Sequence, residues 1–65
     1  MLQYRRRLFF ASWTTAAEFA QQATLHASAQ CGDITADVDC LFIDVYCSDF
    51  AQIRRVYDIY NKFTE

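Results

Sequence analysis

The stretch Ile34-Thr35-Ala36-Asp37-Val38-Asp39-Cys40-Leu41-Phe42-Ile43-Asp44-Val45-Tyr46-Cys47 decides the fold. Apolar and polar residues alternate along it, the period of a half-buried strand. The alternation changes phase part-way. Ile34, Ala36 and Val38 are the apolar members at first, and Leu41, Ile43, Val45 and Cys47 take over afterwards. A one-residue slip turns every side chain to the other face, so the change around Asp39-Cys40 marks either a tight hairpin or a bulge in one bent strand. The hairpin is the preferred expectation, although the Asn-Gly turn signal is missing.

Outward from this stretch, helical periodicity lies on both sides. Towards the C-terminus, Ser48 or Asp49 is a candidate N-cap with Gln52 placed behind Asp49. Phe50, Ile53, Val56, Tyr57, Ile59, Tyr60 and Phe63 then fill one half of a helical wheel, and Arg54, Arg55, Asp58, Asn61 and Lys62 the other. Towards the N-terminus, Thr15-Ala16-Ala17-Glu18 matches a capping box and opens an alanine-lined face of Ala16, Phe19, Ala20, Ala23 and Ala27. Gly32, the only glycine, is the expected left-handed cap, which predicts a helix over 15–30. Ser12, Trp13 and Thr14 read as a short connection. Before them, Leu2 to Ala11 alternates: Leu2, Tyr4, Leu8 and Phe10 share one face, Gln3, Arg5, Arg7 and Phe9 the other, and Arg6 fits its apolar face poorly.

The order is β-α-β-β-α, an α+β class with both helices on one face of an antiparallel-containing sheet and a right-handed crossover between the first two strands. It looks like a small ferredoxin-like fold shortened by its final strand. Residues 1–65 form a single α+β domain. Its small core is enriched by six Phe, four Tyr and Trp13, against one Gly and no Pro.

Charge is segregated along the chain. The six basic residues, Arg5, Arg6, Arg7, Arg54, Arg55 and Lys62, flank a stretch without Lys or Arg that carries Glu18, Asp33, Asp37, Asp39, Asp44 and Asp49 beside His26. A field of one sign steers partners of the other, so composition favours binding over catalysis. No run approaches the roughly 20 apolar residues of a membrane span, and the start lacks a signal-peptide h-region. Cys31, Cys40 and Cys47 are odd in number and lack CxxC spacing, which reads as reduced thiols in a cytosolic protein.

No catalytic set, metal site or cofactor is expected. His26 lies on the flank of the first helix's apolar face, at the rim of a small core, with no partner at catalytic or ligand spacing. Asp37 and Asp39 point the same way on a strand but lack a pocket. Phe42, Asp44 and Tyr46 face away from the helices beside Thr35, Asp37 and Asp39. Cross-strand Arg-Asp pairs on an ordinary solvated face are the plain expectation there. Asp33, Asp37, Asp39, Asp44 and Asp49 are also dense enough to imitate a row of phosphates. Trp13 and Leu25 are candidate interface anchors, burial of Trp13 under the second helix being the alternative.

In its shortness, its element order and the aspartate-rich stretch from Asp33 to Asp49, the chain resembles the small phage-encoded inhibitors called anti-CRISPR proteins. That resemblance implies a cytoplasmic inhibitor acting in a bacterial host, with an acidic surface that mimics DNA and a CRISPR effector subunit as its protein partner. The arginines near the ends depart from a uniformly acidic mimic. Two other expectations stand beside it. One is a nucleic-acid-binding module using Phe9, Phe42 and Tyr46 with Arg5 and Arg7, although no RNP-like run is present. The other is a structural homodimer through the open sheet face or its edge.

Overall fold

The computed structural model describes residues 3–37 and 39–64, so expectations for Leu2 and Val38 lie outside the described residues. The elements are β1 (Tyr4–Phe10), α1 (Trp13–Ala27), β2 (Gln30–Cys31), β3 (Thr35–Ala36), β4 (Leu41–Cys47) and α2 (Phe50–Thr64). The class is α+β, with a four-stranded, open, antiparallel sheet and two helices. Central β4 pairs with β1 on one side and with β2 and β3 on the other.

The phase change is that of a hairpin. Thr35 lies opposite Phe42 and Ala36 opposite Leu41, and the Asp37 N–H donates to the Cys40 carbonyl at 2.8 Å, which closes a hairpin. Further back, Cys31 lies opposite Val45. Residues 32–34 therefore span the two positions 43 and 44, a bulge of one extra residue that separates β3, part of the expected second strand, from β2, a short strand formed by residues expected to end the first helix. Gly32 sits within it. Its N–H donates to the Asp44 carbonyl at 2.8 Å, and a Cβ there would stand 3.4 Å from that oxygen, an ordinary van der Waals contact.

Both ends of the first helix differ from the 15–30 expectation. Ser12 is the N-cap: its hydroxyl accepts from the Thr15 N–H at 3.2 Å, and its carbonyl accepts from the Ala16 N–H. Trp13 is consequently the first helical residue. The helix stops at Ala27 because Ser28 takes the left-handed conformation (φ 52°, ψ 29°), and the N–H groups of Ser28 and Ala29 both reach the Ala23 carbonyl. Gly32 has no positive φ and caps nothing. Stopping at Ala27 buries Ala27 and Ala29 and lets Gln30 reach its place opposite Tyr46. At α2 the expected cap is present. Asp49 Oδ1 accepts from the Gln52 N–H at 2.9 Å, while Gln52 Oε1 accepts from the N–H groups of Ser48 and Asp49.

The core lies between one sheet face and both helices. Leu8, Phe10, Leu41, Ile43, Val45 and Cys47 meet Ala16, Phe19, Ala23 and Ala27 of α1 and Ile53 and Val56 of α2. Small alanines bring α1 close, and Phe19 fills the space beneath, in edge or tilted contact with Phe10, Tyr60 and Phe63. Phe50 and Tyr57, on the apolar half of the α2 wheel, are nevertheless exposed, because the sheet is only three strands wide, with β2 and β3 on the same side of β4, and does not cover that whole face. Phe50 meets the Tyr4 ring edge to face, with ring centres 6.4 Å apart.

Candidate functional surfaces

The pleat that buries Leu8 and Phe10 turns Arg5, Arg7 and Phe9 to the other side, where β4 contributes Phe42, Asp44 and Tyr46. Phe9 is directly opposite Phe42 and half exposed, and the two rings meet edge to face at 6.1 Å. Two pairs further along, on the same face, Arg7 faces Asp44 in a two-pronged contact, Nε to Oδ1 at 3.0 Å and Nη2 to Oδ2 at 3.2 Å. The same guanidinium lies 4.2 Å from the centre of the Phe42 ring. Hydrogen bonds from Arg7 hold the Asp44 carboxyl below its usual range, and Asp44 raises Arg7 in return. Asp44 is thus charged but neutralised by its neighbour, the cross-strand pairing that alternation implied.

The other aspartates occupy different settings. Asp49 is committed to the α2 cap. Asp33, Asp37 and Asp39 are exposed along the bulged edge and its hairpin. Arg5, Arg6 and Arg7, also exposed, lie on β1 at the opposite edge. Charge segregated in sequence therefore becomes charge segregated across the sheet.

The β1 edge is partly closed. Because Gly32 bonds the Asp44 carbonyl, alternation directs the N–H and C=O groups of Arg5, Arg7 and Phe9 away from β4. Tyr60 Oη donates to the Phe9 carbonyl at 2.8 Å, and the Arg6 guanidinium donates to that of Arg5 at 2.9 Å. Two outward acceptors are already used, a defence against strand addition. It also explains Arg6, whose side chain serves the edge rather than the core.

Trp13 and Leu25 are both exposed, at 57% and 66%, so Trp13 is not buried under α2. Twelve residues of helix separate them by about 18 Å, which makes two separate anchors rather than one patch. All three cysteines are free. Cys47 is buried and Cys31 half-buried, and burial pushes both thiols up, away from the reactive thiolate. Among the described residues no three His, Cys, Asp or Glu side chains form a group able to hold a metal ion, and no helix is long and apolar enough to cross a membrane.

One site escaped the sequence reading. Gln22 and His26 of α1 face Ile59, Lys62 and Phe63 of α2 around a cleft of about 430 Å³. The i, i+4 spacings of Gln22 with His26 and of Ile59 with Phe63 were legible, but not that these two stripes meet. Comparison with protein-family models, characterised proteins and solved structures returned no match.

Proposed function

We propose that this protein is a small non-catalytic inhibitor of the anti-CRISPR type, acting in the cytoplasm of a bacterial host. Its acidic edge, Asp33, Asp37 and Asp39, occupies a nucleic-acid-binding groove on a CRISPR effector subunit. The observation that carries this reading is the separation of charge across the sheet: three exposed aspartates on the bulged edge against Arg5 and Arg6 on the other, with Arg7 paired to Asp44. Such a layout orients the molecule as it approaches a basic groove and repels it when turned round. Asp44 and Asp49, engaged by Arg7 and by the α2 N-terminus, contribute less than their place in sequence implied. Trp13 and Leu25 then lie on the helical side, away from the acidic contact. The fold proposed is a ferredoxin-like sheet without its last strand. It is supported by central β4 between β1 and β2, by helices following β1 and β4, and by a crossover from β1 over β4 to β2.

The nucleic-acid-binding alternative draws on half-exposed Phe9 beside Phe42, but Arg7 is held by Asp44 rather than left for phosphate. Titration against a panel of purified CRISPR effector complexes, at several salt concentrations, tests the proposal. Binding to one of them should weaken steeply with salt and block its access to DNA. Asp33→Asn/Asp37→Asn/Asp39→Asn should bind at least tenfold more weakly with a flatter salt dependence. Absence of binding across the panel, or affinity indifferent to the three substitutions, would overturn it.

A further inference from the structure

The cleft between α1 and α2 lies on the helical layer, apart from the acidic edge, and has a distinct chemistry. Half-buried Ile59 and Phe63 give it an apolar wall, and Gln22, His26 and Lys62 supply polar groups. Among the described residues its lining contains two nitrogen bases and an amide, and no carboxylate. Among the described residues no ion pair engages Lys62. Its volume of about 430 Å³ falls within the range of small-molecule sites and exceeds what a few side chains would leave by loose packing.

We propose that this cleft binds a small apolar carboxylate, a medium-chain aliphatic or aryl acid, with the carboxylate on Lys62 and His26 and the hydrocarbon against Ile59 and Phe63. Charge complementarity selects the anion: an ammonium head would face Lys62 without a counter-charge, and a neutral alcohol would forgo the attraction. The Gln22 amide adds a donor that orients the head group. The apolar wall supplies the remaining affinity by removing hydrocarbon from water.

Amide-resolved NMR titration of the intact chain with octanoate, octylamine and 1-octanol tests this. Octanoate should shift the amides of residues 22, 26, 59 and 63 saturably, with a dissociation constant on the order of 1 mM for so small a ligand. Octylamine should not, and octanol should bind more weakly than octanoate. Because His26 and Lys62 are exposed, His26→Gln/Lys62→Gln should keep the fold and lower octanoate affinity at least fivefold. Non-saturating shifts, equal response to octylamine, or unaltered affinity in the double variant would each overturn the proposal. None of these outcomes bears on the acidic edge, so the two proposals fail independently.

Discussion

Ser28 shows at the scale of one residue how local preference is overridden. A residue with a Cβ in the left-handed region costs about 1–2 kcal/mol relative to ordinary backbone, a cost that glycine escapes. Ser28→Gly should therefore raise stability by roughly 0.5–1 kcal/mol, part of the gain being offset by glycine's larger entropy when unfolded; urea unfolding of the two proteins measures it. Asp44 carries the pH dependence of the sheet face. Arg7 depresses its folded carboxyl pKa, so the stabilisation is present above the unfolded carboxylate range, near pH 4, and is lost as pH falls through the folded value. Asp44→Asn should be less stable than the parent at pH 7, and the gap should close in acid. A gap constant from pH 7 to pH 2 would show that Arg7 leaves the titration of Asp44 unchanged on folding.

Among the elements, α2 has the most complete start. Asp49 and Gln52 satisfy each other's backbone donors, and Gln52 Nε2 also reaches the Ser28 carbonyl at 3.4 Å, joining the start of α2 to the end of α1. Asp49→Ala should cost about 0.5–2 kcal/mol, read from the thermal midpoint, with Asp49→Asn retaining most of the stability. The amphipathic wheel of α2 and its cap were legible because both are local. Where α1 begins was harder to read, since Ser12 and Thr15 are both competent caps; only the chain leaving β1 at Phe10 decides for Ser12. The bulge was hidden for a similar reason. Cys31 belongs to the edge strand only once the helix has stopped at Ala27, and nothing local demands that stop.

At the scale of the molecule, one aromatic cluster joins the layers. Phe19 is wholly buried among Phe10, Tyr60 and Phe63. A chain of this length has a small reserve of stability, and deleting a buried phenyl ring costs about 3–5 kcal/mol. Phe19→Ala should leave much of the population unfolded at 37 °C, which circular dichroism would register, whereas Leu25→Ala on the exposed face should scarcely change the midpoint. The acidic edge and the basic edge exist only at this scale too. Along the chain the aspartates form one run, but folding sends Asp44 to Arg7 and Asp49 to a helix terminus, while Asp33, Asp37 and Asp39 are exposed together along the bulged edge and its hairpin.

By itself the sequence determined the α+β class, both helices, the strand faces and the partition of charge, because each depends on periodicity, capping or composition within a few residues. Tertiary structure alone decided the left-handed turn at Ser28, the bulge at 32–34, which of the aspartates Arg7 engages and the meeting of Gln22 and His26 with Ile59, Lys62 and Phe63. Those features join residues distant along the chain, and their energies arise only when packing brings the elements together.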